Sequence, residues 1–159
     1  MNPLYWEDVV VGTRRDLGSY TFTEEEIIRF ARKYDPQSFH VDPEAAKHSI
    51  FGGLIASGWH TAAVWMKLAI AERQRSAGTS PLLRAGVSPG FEDMKWLKPV
   101  RPGMTVRFSS EIIGKKELAS RPDMGLVLSR NKGHDMQGDL VFQFTGKGFV
   151  QRHRLFLSL

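Results

Sequence analysis

The chain has 159 residues, a length that suits one domain with a real core. Apolar residues make up 42% and charged residues 25%, ordinary for a globular protein, and the absence of cysteine excludes disulfides, thiolate metal sites and cysteine nucleophiles. The net charge of +5 comes from scattered residues such as Arg14, Arg15, Arg73, Arg75, Lys115 and Lys116, a pattern of solvated surface that can also draw in an anionic ligand.

The opening residues, Met1-Asn2-Pro3-Leu4-Tyr5-Trp6, lack the basic and apolar regions of a secretory signal, which gives a cytoplasmic expectation. The spacing predicts a first helix from Glu24 to Tyr34. Thr23 and Glu26 form a capping box, and Ile27, Phe30, Ala31 and Tyr34 line one face. Pro36 disfavours helical geometry at Asp35, so Asp35 to Asp42 reads as a loop. Asp42 and Pro43 then suit the cap and first position of a short helix over Pro43 to His48.

Small residues from Gly52 to Gly58 lead to a second long helix, Gly58 to Arg73. It is apolar nearly all round, which predicts burial. Its most apolar stretch, Trp59 to Ala71, contains Lys67 and is too short to span a bilayer, so no membrane partner is expected. From Leu83 the texture is that of strands: Leu83 to Lys98, Thr105 to Leu118, and a hairpin of Gly125 to Asn131 with Asp139 to Gln151. One long buried helix and four long antiparallel strands predict an α+β fold, a curved sheet wrapped around a helix. The tail, Arg152 to Leu159, turns from basic to apolar and reads as frayed or packed on a partner.

Chemistry concentrates in Tyr34-Asp35-Pro36-Gln37-Ser38-Phe39-His40-Val41-Asp42. A carboxylate and an imidazole five residues apart in a loop can face one water. Taken alone, the pair is as consistent with a turn-forming Asp and a structural His. Ser57-Gly58 opens the long helix, where free N–H groups and the helix dipole can polarise a carbonyl. The alternative is a tight turn into the helix. Phe39, Trp59 and Trp65 are large enough to shape a pocket, or are plain core, and His60 carries no assignment. No partner is evident for His48, His134 or His153. No metal-ligand spacing, phosphate loop, serine elbow or nucleic-acid-binding motif appears.

Asp35 with His40, eighteen residues before Gly58, resembles the hydratase signature of the MaoC-like dehydratase family. Gly86-Val87-Ser88-Pro89-Gly90-Phe91-Glu92, Trp96-Leu97-Lys98-Pro99-Val100-Arg101-Pro102-Gly103 and Ser120-Arg121-Pro122-Asp123 extend the likeness from about Trp6 to Val150. The resemblance implies a single hot-dog fold over 1–159, a homodimer or higher homo-oligomer, and reversible hydration of trans-2-enoyl-CoA to (R)-3-hydroxyacyl-CoA. It implies Asp35 and His40 as the acid–base pair and Gly58 as the oxyanion donor. Gln37, Ser57 and Trp59 are expected at the substrate. No cofactor is expected beyond the coenzyme A of the substrate. Gln37, Ser38 and Tyr34 stand where that signature has Asn, Pro and Gly, a departure expected to alter the substrate range. A branched or dicarboxylic acyl-CoA is one alternative substrate. A hot-dog thioesterase is another reading, disfavoured because residues 59–71 contain no acidic side chain, and a non-catalytic acyl-CoA binder is the third.

Overall fold

The computed structural model describes residues 2–77 and 79–153. After a short 3-10 turn at Trp6–Asp8 come β1 (Arg14–Thr21), α1 (Glu24–Tyr34), α2 (Ser38–Val41), α3 (Pro43–Ala46) and α4 (Gly58–Ser76). The sheet is completed by β2 (Gly90–Trp96), β3 (Thr105–Glu117), β4 (Met124–Asp135) and β5 (Leu140–Gln151). All pairings are antiparallel, in the order β1-β3-β4-β5-β2. The curved sheet wraps α4 in the hot-dog architecture expected, with five strands rather than four.

β3 shows why the chain folds this way. Val106, Phe108, Ser110 and Ile112 alternate with more exposed neighbours, so one side of the pleat is turned to the core. Phe22, Phe108 and Phe142 are fully buried there and Val64 of α4 packs among them. The β4–β5 hairpin closes where Asp135 accepts the Asp139 N–H at 2.9 Å and Gly138 takes φ 89, a left-handed turn that glycine adopts without strain. Thr23 caps α1 by accepting the Glu26 N–H at 3.3 Å, and Asp42 caps α3 by accepting from Glu44 and Ala45.

Five expectations need correction. β1 was not foreseen. Leu83 to Lys98 is strand only over Gly90–Trp96, with isolated bridges at Leu83 and Ala85. The loop after α1 contains the one-turn helix α2. And α4 is not buried all round: His60, Thr61 and Val64 face the core, while Trp59, Met66 and Ile70 are half exposed, because the sheet covers only one side of the helix. Among the described residues no helix is long and apolar enough to cross a membrane. Of the tail, residues 154–159 lie outside the described ones. Arg152 pairs with Glu7, and His153, contrary to expectation, has partners: it packs on Tyr5 and lies 3.7 Å from Asp8.

Candidate active site

Three pieces of chain meet at the start of α4. α1 ends at Tyr34, and Asp35 leaves helical geometry at φ −154 and ψ 69 ahead of Pro36. The Gln37 N–H donates back to the Asp35 carbonyl at 2.8 Å, and α2 begins one residue later, which turns His40 inward. The third piece is Ser57-Gly58 at the N-terminus of α4.

The Asp35 carboxylate takes three contacts. Ser57 Oγ donates to Oδ2 at 2.7 Å, Gln37 Nε2 donates to Oδ1 at 2.8 Å, and His40 Nε2 lies 3.4 Å from Oδ2. Partial burial alone would push the Asp35 pKa up. The hydrogen bonds from Ser57 and Gln37 and the His40 charge outweigh it and hold the carboxyl below its ordinary value. His40 is buried, and its Nδ1 lies 2.7 Å from the Ile55 carbonyl. A carbonyl only accepts, so Nδ1 carries a proton; in the neutral ring Nε2 then offers its lone pair toward Asp35 and the cleft, and in the protonated ring it places a positive charge beside the carboxylate. Two acceptors 3.4 Å apart, Nε2 and the carboxylate, form a cradle for a molecule with two protons to donate.

Gly58 supplies the opposite charge. Its N–H has no acceptor among the described residues, and it stands at the positive end of a 19-residue helix. Asp35, Gln37, Phe39, His40, Gly58 and Trp59 all line one cleft of about 490 Å³, whose other walls include Phe51, Trp96, Lys98 and Val100. Five of the six site residues expected from sequence, Asp35, Gln37, His40, Gly58 and Trp59, line this cleft, although Gln37 commits its amide to Asp35. Ser57 is wholly buried and absent from the wall; it donates to Asp35 and accepts the Trp59 N–H at 3.3 Å, so it acts on a ligand only through its neighbours.

Trp65, a candidate wall residue, packs instead on Phe144 at 4.6 Å. His60 faces the core, stacked on Phe30 at 4.6 Å and edge-on to Phe22 at 5.1 Å. Burial pushes its pKa down to about 4. Sequence reasoning missed Trp96 and Lys98 as wall residues. Both lie in the segment Trp96-Leu97-Lys98-Pro99 that carries the family likeness, which was the available signal. Among the described residues no cluster of His, Asp or Glu is arranged to hold a metal ion.

Comparison with known proteins agrees with this frame. Residues 8–129 match the family described as the MaoC like domain. The chain is 30% identical over 125 residues to the uncharacterized protein YdeM of Bacillus subtilis, a match that covers 76% of this chain and 80% of YdeM. It is 33% identical over 101 residues to the 3-hydroxyacyl-thioester dehydratase Z of Mycobacterium tuberculosis, covering 63% of this chain and 64% of the relative. The crystal structure of a MaoC-like dehydratase from Rhodospirillum rubrum superposes with a TM-score of 0.80 at 37% identity, over 96% of this chain and 99% of that one. The fold is that of a hot-dog protein, and within that class the chain belongs to the MaoC-like dehydratase family. The chain spans just under two thirds of the one relative named here that has an assigned activity.

Proposed function

We propose that the protein reversibly hydrates trans-2-enoyl-CoA to (R)-3-hydroxyacyl-CoA. The observation that carries this reading is the convergence of Asp35, His40 and the free Gly58 N–H on one cleft. The thioester oxygen accepts the Gly58 N–H, which with the helix dipole stabilises the charge that builds there as the enolate forms. Water is held against His40 Nε2 and the Asp35 carboxylate. As its oxygen bonds to C3, His40 Nε2 takes one of its protons and the other stays on the new hydroxyl; the enolate collapses as His40 Nε2 gives its proton to C2. The sum is one water added across the double bond, and the same steps run backward dehydrate the hydroxyacyl ester. No cofactor enters this scheme. The R configuration rests on the family likeness.

Two alternatives lose support at the cleft. A dicarboxylic acyl group needs an uncommitted cation, and the one lysine on the wall, Lys98, is already held by Asp135 and by Asp139 at 2.9 Å. An uncharged acyl chain suits the aromatic walls better. Thioesterase chemistry has no carboxylate at the start of α4, whose first acidic residue, Glu72, is bonded to Ser76 nearly four turns on. We also read the chain as a homodimer. β2 is an edge strand that leaves Phe91 about half exposed, as is Leu97 just beyond its end, an apolar edge suited to pairing with its copy.

Crotonyl-CoA tests the reading. Loss of the enoyl-thioester absorbance without release of free thiol supports it. Thiol release favours a thioesterase, and binding with neither change favours a non-catalytic acyl-CoA binder.

A further inference from the structure

The last residues of β2 do not follow the alternation of its first. Glu92 faces Thr145 and Lys95 faces Gln143, so three steps on β2 oppose two on β5. Asp93 lies within this bulge at φ 52, a left-handed conformation that Asp tolerates better than most residues. The slip changes which side chains share a face. An unbroken register would set Lys95 opposite Phe142; the bulge sets Trp96 there instead. Phe142 is fully buried, and Trp96 turns to the same side, its ring 6.5 Å from Phe142 and 5.4 Å from Trp59. A bulge beside a site commonly re-aims a side chain in this way.

What Trp96 meets there is Gly58. The indole Nε1–H donates to the Gly58 carbonyl at 2.8 Å. Its ring atoms lie 2.4 to 2.7 Å from where a Cβ on residue 58 would stand, so the ring covers the glycine's Cα and leaves room for no side chain. The same ring lines the cleft and remains 44% exposed. Residue 58 is therefore held at its carbonyl and its Cα by an indole; its N–H belongs to the preceding peptide unit, with the Ser57 carbonyl, and feels that hold through the shared Cα.

We propose that Trp96 is a positioning and specificity-determining residue of the hydration site, holding residue 58 in place at its Cα and carbonyl and walling the thioester end of the cleft against a substituent at C2. This rests on the hydration reading above. If the Gly58 N–H holds the oxygen on C1, the ring packed on Gly58 borders the C1–C2 segment, while Asp35 and His40 attend to C3. A misplaced methyl group in such a pocket typically costs on the order of 10- to 200-fold in kcat/KM.

The test compares the full chain with Trp96→Phe and Trp96→Ala on crotonyl-CoA and on its C2-methyl analogue, (E)-2-methylcrotonyl-CoA, with thermal melts to confirm folding. Wild type is expected to prefer crotonyl-CoA by at least about 10-fold. Trp96→Ala opens the wall and is expected to collapse most of that preference. Trp96→Phe keeps the ring's bulk and loses its N–H, so the preference is retained while kcat falls for both esters with KM little changed. A merely structural role would lower both rates together in Trp96→Ala and leave their ratio alone. That result, equal wild-type rates on the two esters, or a Trp96→Phe protein with unaltered kcat overturns the proposal. Wild type inactive on both esters overturns the hydration reading and this proposal together, whereas active wild type with an unmoved ratio overturns this proposal only.

Discussion

Gly58→Ala is the substitution whose outcome the packing most sharply constrains. Residue 58 lies in the first turn of α4 and outside the positive-φ glycines, so the backbone accepts alanine, and helix propensity alone would favour it by up to about 1 kcal/mol. The obstacle is Trp96. Three of its ring atoms would lie 2.4 to 2.7 Å from the new methyl, where ordinary contact is 3.4 Å or more, so the indole has to withdraw. Overpacking of this kind costs about 1–3 kcal/mol, which exceeds the propensity gain. With the full propensity gain set against it, the net expectation is a loss of up to about 2 kcal/mol, or up to roughly 8 °C in Tm for a chain of this size. Withdrawal also takes the indole N–H off the Gly58 carbonyl and loosens the Cα next to the proposed oxyanion donor, so that the donor shifts with it. Removing such a donor outright costs about 10²- to 10³-fold, so a misaligned one is expected to lower kcat by about 10- to 100-fold. Crotonyl-CoA hydration and a circular-dichroism melt read both quantities. The double variant with Trp96→Ala is expected to recover the stability lost by Gly58→Ala beyond what additivity allows. Wild-type Tm and rate in Gly58→Ala, or strict additivity in the double variant, would refute the reasoning.

Ser57→Ala removes the donor to Asp35 Oδ2 and the cap of α4 at once. It is expected to cost about 1–3 kcal/mol in urea unfolding and to move the acid limb of the pH–rate profile to higher pH, because Asp35 loses a bond that favours its charged form; an unmoved limb in a folded protein contradicts this. His60 predicts a pH dependence of stability. An unfolded histidine protonates near 6.5 and the buried one at about 4, so between those values the unfolded chain binds more protons and stability falls as pH drops, by about 3 kcal/mol in all and with no effect above 6.5. His60→Leu should flatten that part of the curve, and an identical slope would show that His60 is not the group responsible. Light scattering at micromolar concentration is expected to return twice the chain mass; a monomer would count against the pairing assigned to β2.

The sequence made α1 legible because its periodicity and its cap agree: Thr23, Ile27 and Ala31 do what their spacing says. β1 escaped because Leu17 alone is buried along it and the register slips between Asp16 and Gly18, which spoils alternation. α2 is too short for any periodicity, and its single turn is set by Pro36 and by the His40 N–H donating to the Gln37 carbonyl at 2.9 Å. The apolar surface of α4 looked like burial because composition does not reveal which side of a helix the sheet leaves open. At the site, Asp35, His40 and Gly58 were legible through their spacing and the family likeness. Ser57 was placed at the substrate because it sits beside Gly58, yet its side chain turns to Asp35. Trp96 was out of reach because the bulge at Asp93 changes which residues of β2 share a face, and a bulge held by an aspartate leaves no glycine to mark it.

The central claim is that Asp35 and His40 activate water against an enoyl thioester. Its most direct test is the hydration rate of crotonyl-CoA for wild type, Asp35→Asn and His40→Gln, with folding checked by thermal melt and free thiol measured in the same samples. The account predicts hydration by wild type without thiol release, and a fall of about 10²- to 10⁴-fold in each variant. Near-wild-type hydration by either folded variant would contradict it.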